Sequence, residues 1–236
     1  MSNKASAQRP CAVVTGSSSG IGQCIAEHLI HMGWQVIGLD MAAPTLHSPH
    51  LQTLQVDLSD EAATLAVAHG LGNVQAFVHA AGVLRVGRLG DLDSQNGELM
   101  WRIHTQAAIH LSNVLVPRMV QEKHGRVVFI GSRVAQGMPG RSQYAATKAA
   151  LIALARSWAS EVASAGVTVN VVSPAATQTT MLSDPARAAS TPRLPPLGRL
   201  IQPQEIAELV AFLLSPSAAA ITGQDIAICG GASLPQ

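Results

Sequence analysis

The sequence predicts a single-domain α/β protein built on a doubly wound parallel sheet with helices on both faces. Short runs of β-branched residues, apolar on both faces, are typical of strands in a sheet that helices cover on both sides. Between these runs, apolar residues recur at three- and four-residue spacing, as they do along amphipathic helices. The 236 residues suffice for one well-filled core, and no linker-like stretch divides them.

The predicted elements follow one another along the chain. Seven apolar runs predict strands at 11–16, 34–40, 51–57, 74–82, 125–132, 167–174 and 225–231. Helical spacing, with glycine or proline at the ends of the segments, covers 20–33, 144–166 and 203–216. The Pro- and Ser-rich stretch 183–198 predicts a mobile loop.

Composition argues against several classes of partner. The net charge is +1 with interspersed charges, and aromatic residues make up 3% of the chain, so we expect no nucleic-acid binding. No apolar run approaches the roughly 20 residues that a membrane span requires, and the first ten residues lack the apolar centre of a signal peptide. We therefore expect a cytoplasmic protein that acts on a small molecule.

Neither the cysteines nor the histidines predict a metal site. The cysteines at 11, 24 and 229 form no CxxC or other ligand spacing, which fits a reducing compartment. The histidine pairs 28/31 and 47/50 have no obvious third ligand, so we interpret them as solvated side chains.

A glycine-rich turn follows the first predicted strand. In TGSSSGIG, Gly16, Gly20 and Gly22 allow the backbone to turn tightly and to approach a ligand at the start of the next helix. Free N–H groups and the helix dipole favour a pyrophosphate there. A plain strand-to-helix turn is the alternative.

Two aspartates end the second and third predicted strands. The Asp40 carboxylate can accept hydrogen bonds from both hydroxyls of an adenosine ribose and would repel a 2′-phosphate, so the sequence predicts NAD rather than NADP. The SSS of the turn also lacks a cation for an extra phosphate. Asp57 either contacts the adenine edge or caps the helix that follows.

The only tyrosine in the chain, Tyr144, lies four residues before Lys148 on a predicted helix. Residues at this spacing share a helix face, so the ammonium favours phenolate over phenol. A tyrosine, whose ordinary pKa is about 10, could then exchange a proton with an alcohol near neutral pH. Alone, the pair is also explained by an ordinary helix surface.

In order and spacing, TGSSSGIG, Asp40, HAAG (79–82), Ser132, YAATK and SPAATQT (173–179) resemble the short-chain dehydrogenase/reductase family over about residues 9–231. The resemblance implies a Rossmann-type sheet of about seven strands and hydride transfer at a nicotinamide. It implies a cofactor-binding N-terminal half, a catalytic C-terminal half with a lid at about 179–200, and a homotetramer (or homodimer). Helices at about 97–121 and 143–165 would pack against symmetry mates.

The resemblance also implies a role for each matching residue. Tyr144 would be the general acid/base, Ser132 would hydrogen-bond the substrate oxygen, and Lys148 would hold the nicotinamide ribose and lower the tyrosine pKa. Tyr144 and Lys148 would thus contact the cofactor too. The other cofactor contacts would be Gly16, Ser18, Ile21 and Gly22 at the pyrophosphate, Asp40 at the ribose, Asp57 and Leu58 at the adenine, Ala80, Ala81 and Gly82, and Thr179 at the carboxamide.

The chain departs from the family pattern at the position of a catalytic asparagine. Counting back from Pro117 places His104 there, where it is a functional substitute, an impairment of the proton relay, or a packing residue. Three further departures from the family pattern are HAAG in place of NNAG, Ala175 in place of a glycine, and a loop from Ser132 to Tyr144 that is one residue shorter than is common in the family. We interpret His79 as a structural residue.

Substrate choice in this fold lies in the loops around the site. The candidate contacts are Arg85, Met138 and Arg187, and the short lid favours a compact substrate such as a small secondary or cyclic alcohol or ketone. HAAGVLRVG and the stretch from PLGRL to GQDI are similar to 2,3-dihydro-2,3-dihydroxybenzoate dehydrogenases, in which Arg85 would face a carboxylate. The alternatives are a 3-oxoacyl-thioester reductase using NADPH and a non-catalytic dinucleotide-binding sensor or scaffold.

Overall fold

One parallel sheet of seven strands organises the molecule, and the predicted doubly wound α/β fold is confirmed. The computed structural model describes residues 9–183 and 193–234. The strands are β1 Cys11–Thr15, β2 Gln35–Asp40, β3 Leu51–Gln55, β4 Ala76–His79, β5 Gly125–Ile130, β6 Val167–Pro174 and β7 Asp225–Ile228. They lie in the order β3-β2-β1-β4-β5-β6-β7.

Six α-helices cover the two faces of this sheet within the described residues. They are α1 Gly20–His31, α2 Glu61–Gly70, α3 Ser94–Trp101, α4 Ala107–Gln121, α5 Ser142–Val162 and α6 Pro203–Leu214. A π-helical turn, Arg102–Gln106, joins α3 to α4, and 3-10 turns cover Arg133–Gln136, Ala163–Ala165, Thr180–Ser183 and Pro216–Ala218. The long helix expected at about 97–121 is therefore divided by this turn.

The core consists of one apolar layer on each face of the sheet. Successive strand residues point to opposite faces, so Val13 and Phe77 join the layer under α4 and α5, whereas Val14 and Val78 join the layer under α1 and α6. β4 is buried at every position. This two-sided burial explains why the strands read as continuous apolar runs in the sequence.

Several strands end earlier than the apolar runs predicted. The runs 51–57, 74–82 and 125–132 leave the sheet at Gln55, His79 and Ile130. The residues that follow form loops, and because all strands are parallel these loops meet at the carboxyl edge of the sheet. The order reverses beside β1, which is where ligands bind in open sheets of this type.

The segment before α6 is only partly described. Residues 184–192, which carry most of the predicted mobile loop and Arg187, lie outside the described residues. After them, Arg199 binds Glu205, whose carboxylate also accepts from the N–H of Gln202 and so caps α6. Across the described ranges, no helix combines the length and hydropathy needed to cross a membrane.

Candidate active site

Thr15 joins the carboxyl ends of β1 and β4. Its Oγ1 accepts hydrogen bonds from the N–H groups of Ala80 and Ala81, both at 3.0 Å, and lies 2.9 Å from Nδ1 of His79. A Cβ on Gly16 would lie 2.9 Å from the Ala81 backbone. The structure thus brings the glycine turn and the HAAG loop into direct contact, as the predicted cofactor site requires.

The glycine turn leads into a helix that lacks a side-chain cap. Gly16 and Gly20 have positive φ values of 70° and 54°, and a Cβ on Gly22 would lie 2.2 Å from the Gly16 carbonyl oxygen. Ser19 precedes α1 without a side-chain capping bond, and the first turn, which includes Ile21, holds no acidic residue. Free N–H groups at such a helix start suit a phosphate group.

Thr179 lies at the same helix start. A Cβ built on Gly20 would lie 3.4 Å from Cγ2 of Thr179. Thr179 follows β6, so the carboxyl-end loop of this strand reaches the loop of β1 across the site. The structure therefore places Thr179 beside the predicted cofactor residues of the glycine turn.

Asp40 ends β2 beside the glycine turn. One carboxylate oxygen accepts from the N–H of Ser18 and the other from the N–H of Ala42, both at 2.9 Å. From Pro10 to Leu84 the sequence contains no lysine or arginine. The part of the chain that forms β1, β2 and β3 therefore offers a fixed carboxylate and no lysine or arginine at this end of the site.

Asp57 does not cap the following helix, so the capping alternative is wrong. Its Oδ1 accepts from the N–H and the hydroxyl of Ser59, at 2.9 and 2.7 Å. The helix α2 begins at Glu61, so its N-cap is Asp60, whose side chain accepts from the N–H of Ala63. Asp57 lies three residues too early in the chain to cap this helix. The side chain of Leu58 is buried in the core, so only its backbone can contact a ligand.

The predicted catalytic pair lies on the first turns of α5. The Lys148 ammonium is 5.9 Å from the centre of the Tyr144 ring and donates to the carbonyl of Ile130 at 2.8 Å. Ser132, two residues after Ile130, accepts from the N–H of Val134 at 3.2 Å. Lys148 is 4% exposed, and this burial lowers its pKa to about 7.

His104 is fully buried beside this pair, within the π-helical turn. Its Nε2 accepts from the N–H of Val83 at 3.0 Å, and its Nδ1 lies 2.8 Å from the hydroxyl of Thr147. The ring meets Tyr144 edge-on, with 5.4 Å between the ring centres. Burial, followed by the charge of Lys148, holds the pKa of His104 well below its usual range.

His79 is also fully buried and connects β4 to the π-helical turn. Its Nε2 is 3.1 Å from the carbonyl oxygens of both Ile103 and His104. Burial, with a smaller effect of the Lys148 charge, lowers its pKa to about 3. The predicted structural role of His79 thus takes the form of hydrogen bonds to the segment that carries His104.

Comparison with known proteins decides the family. A family model described as enoyl-(acyl carrier protein) reductase matches residues 16–233. The chain belongs to the short-chain dehydrogenase/reductase family. A solved structure titled as a short chain dehydrogenase/reductase family protein is 33% identical, with a TM-score of 0.89 over 96% of this chain and 98% of that chain.

The curated relatives within this family give more detail. The 3-oxoacyl-[acyl-carrier-protein] reductase FabG of Escherichia coli (strain K12) is 37% identical over 234 residues, or 93% of this chain and 96% of that protein. A solved putative betaketoacyl-ACP reductase is 31% identical, with a TM-score of 0.85 over 96% of this chain and 98% of that chain. These relatives favour the 3-oxoacyl-reductase alternative over the dihydrodiol hypothesis.

Two of the three predicted substrate residues are described. Met138 lines a surface cavity of about 360 Å³ together with Gly87, Leu89 and Pro139. Arg85 comes from the loop that leads to this cavity, and its guanidinium donates to the carbonyl of Leu84 at 3.1 Å. Arg187 lies outside the described residues.

Thr15 and Thr147 are the site residues that the sequence analysis missed. Thr147 donates to the carbonyl of Tyr144 at 2.8 Å while contacting His104. A threonine directly before the lysine of YAATK was the available signal, but its partner lies 43 residues away. Within the described ranges, no three His, Cys, Asp or Glu side chains are grouped to hold a metal ion.

Proposed function

We propose that this protein is an NAD-dependent oxidoreductase that interconverts a 3-oxoacyl thioester and the corresponding 3-hydroxyacyl thioester. The observation that carries the reaction class is Tyr144 beside the buried Lys148, whose ammonium lies next to Gly82 of the HAAG loop. The names of the curated relatives support the thioester, in preference to the cyclic dihydrodiol that one stretch of sequence suggests.

The residues of the site fit a nicotinamide dinucleotide. Added Cβ atoms would collide with backbone at Gly16 and Gly22, so the turn requires glycine at both positions to pack tightly, as the glycine turn of a dinucleotide site does. The uncapped start of α1 can hold the pyrophosphate. Asp57, with the backbone of Leu58, and the Ala80–Gly82 loop would line the adenosine and central parts of the cofactor, and Thr179 the carboxamide.

The cofactor we propose is NAD rather than NADP. Asp40 is fixed by two backbone N–H groups, and a carboxylate there accepts ribose hydroxyls but repels a 2′-phosphate. No lysine or arginine between Pro10 and Leu84 could offset that repulsion. The proposal therefore combines the substrate class of the relatives with the cofactor that Asp40 favours.

The mechanism assigns one task to each catalytic side chain. When bound, the nicotinamide supplies or accepts the hydride. Tyr144 holds the proton that the substrate oxygen receives during reduction, and Ser132 donates a hydrogen bond to the same oxygen. Lys148 holds positive charge near the Tyr144 ring, which favours loss of the tyrosine proton.

We also propose a homotetramer in which the segment from α3 to α4, about 97–121, and helix α5 meet their symmetry mates. Trp101, at the end of α3, is 41% exposed beside a cleft of about 360 Å³ that runs between α3 and α5. An exposed tryptophan in such a cleft is typical of an interface between protein subunits. Light scattering checks this proposal, and a monomer mass would contradict it.

The proposed activity is tested by following nicotinamide absorbance with a short 3-oxoacyl-CoA thioester. We expect kcat/KM with NADH to exceed that with NADPH by at least about tenfold, because of charge repulsion at Asp40. Asp40→Ser should reduce this ratio, and Tyr144→Phe should abolish turnover while NADH still binds.

Each contrary outcome of this assay has a distinct meaning. Efficient turnover with NADPH would refute the proposed cofactor, and activity on dihydrodiols or simple ketones alone would refute the substrate. Tight NADH binding without turnover on any of these compounds would support the sensor alternative.

A further inference from the structure

We propose that His79 and His104 act as one positioning unit for the helix that carries Tyr144 and Lys148, with the two rings fixed in opposite tautomers. The inference rests on the proposed function, because it takes Tyr144 and Lys148 to be the residues that perform the chemistry. Its basis is two sets of hydrogen bonds that meet at His104: one runs from Thr15 on β1 through His79 to the His104 backbone, and the other runs from the His104 ring through Thr147 to the carbonyl of Tyr144.

The tautomer of His104 follows from its two partners. The Thr147 hydroxyl donates its one proton to the carbonyl of Tyr144, so it must accept from Nδ1–H of His104. The N–H of Val83 can only donate, so Nε2 must be the acceptor. His104 is therefore protonated on Nδ1, and both ring nitrogens are fully used.

The tautomer of His79 follows in the same way and is the reverse. The carbonyl oxygens of Ile103 and His104 can only accept, so Nε2 of His79 carries the proton. Its Nδ1 then accepts from the hydroxyl of Thr15, which already accepts from two backbone N–H groups. Both histidines are consequently neutral, which agrees with their complete burial.

The two rings depend on each other through the π-helical turn. His79 holds the backbone carbonyl of His104, while the side chain of His104 holds Val83 on one side and Thr147 on the other. Gly82 leaves room for this arrangement, since a Cβ there would lie 3.0 Å from Nε2 of His104. Loss of the His79 donor would release the turn and shift the His104 ring.

The same bonds indicate that His104 positions the helix rather than relays protons. To accept a proton at Nε2, the ring would have to release the N–H of Val83 inside the core. The ring edge also packs against Tyr144, so its position limits where the phenol can lie. We therefore expect its replacement to affect kcat more than cofactor affinity.

Two matched variants test separately the two hydrogen bonds of the His104 ring, to Thr147 and to Val83. In His104→Asn, the amide nitrogen is as many bonds from Cβ as Nδ1 is, so it can still donate to Thr147. In His104→Gln, the amide oxygen is as many bonds from Cβ as Nε2 is, so it can accept from Val83 but does not restore the donor to Thr147.

For His104→Asn we expect kcat within about threefold of the wild type, and for His104→Gln we expect a loss of about tenfold or more. Thr147→Val, which deletes the intervening hydroxyl, should lose kcat like the Gln variant, whereas the KM for NADH should change less than about twofold in all three. Equal losses in the Asn and Gln variants, or no loss in either, would overturn the proposal.

A second measurement uses the unmodified protein and requires no substrate. Nitrogen-15 NMR of the imidazole rings distinguishes protonated from unprotonated nitrogens, so it reports each tautomer directly. We expect Nδ1–H for His104 and Nε2–H for His79, unchanged from pH 6 to 8. A charged ring or the opposite assignment would refute the positioning unit even if the enzyme turned over, and correct tautomers in an inactive protein would refute only the proposed function.

Discussion

Lys148 is a buried ammonium group that donates a hydrogen bond to the carbonyl of Ile130. Removing a charge from water costs more than one neutral hydrogen bond returns, which is why burial lowers its pKa to about 7 from the ordinary 10.5. At the scale of the residue, we expect this group to destabilise the free protein, and the proposed catalytic role accounts for its presence.

We predict that Lys148→Met stabilises the cofactor-free protein by about 2 kcal/mol at pH 6 and abolishes turnover. Because the folded pKa lies below the unfolded one, wild-type stability increases as the pH rises from about 7 to 10.5, and the advantage of the variant should shrink over this range. Urea unfolding at pH 6 and pH 10 measures both effects. Lys123→Met, at an exposed lysine, is the control and should change stability by less than about 0.5 kcal/mol.

His79 makes the stability of the folded protein depend on pH in the acid range as well. Its pKa falls from 6.5 in the unfolded chain to about 3 in the folded protein, so the unfolded chain binds a proton first and stability decreases as the pH falls through this window. His79→Asn should lower stability at pH 7 but flatten the decrease between pH 6.5 and 4. Unfolding curves for the two proteins that stay parallel over this range would contradict the prediction.

At the scale of the element, two aspartates three residues apart have different tasks. Asp60 caps α2, whereas the side chain of Asp57 accepts hydrogen bonds from Ser59 and lies in the loop at the carboxyl edge of the sheet. From the sequence alone, Asp57 could either contact the adenine edge or cap α2, because both aspartates precede the same helix. The outcome depended on where the helix begins.

We predict that Asp60→Ala lowers the free energy of unfolding by about 1 kcal/mol and leaves the dissociation constant of NADH unchanged. Asp57→Ala should do the reverse, weakening NADH binding with little effect on the stability of the free protein. Urea unfolding and a fluorescence titration with NADH measure the two quantities on both variants. An equal effect of both substitutions on binding would mean that α2 as a whole, rather than Asp57, supports the cofactor.

The sequence predicted regular elements better than irregular ones. The strands were recognisable because burial on both faces leaves β-branched residues at every position of β5 from Val127 to Ile130 apart from Phe129. The π-helical turn was not recognisable from the sequence, because inserting one residue into a helical turn leaves the spacing of apolar residues almost unchanged. The network around His104 joins residues 21 to 43 positions apart, so no local pattern could reveal it.

At the scale of the whole molecule, the parallel sheet brings the predicted site residues together at its carboxyl edge. The end of β2 contributes Asp40, the loop of β4 contributes the HAAG backbone, and β5 and α5 contribute Ser132, Tyr144 and Lys148. Because these groups follow three different strands, their alignment depends on the register of the strands as well as on the loops. The sequence order of the motifs predicted this arrangement, since strand ends in a parallel sheet must meet.

The uncapped start of α1 has a thermodynamic consequence for the whole chain. A helix whose first N–H groups lack a side-chain cap can be completed by an anion at that position, so the dinucleotide we propose would take the place of a capping residue. Folding and cofactor binding then become linked equilibria, and saturation at 100 times the dissociation constant adds about 2.7 kcal/mol to the folded state. The resistance of the protein to unfolding would accordingly rise with the concentration of its dinucleotide.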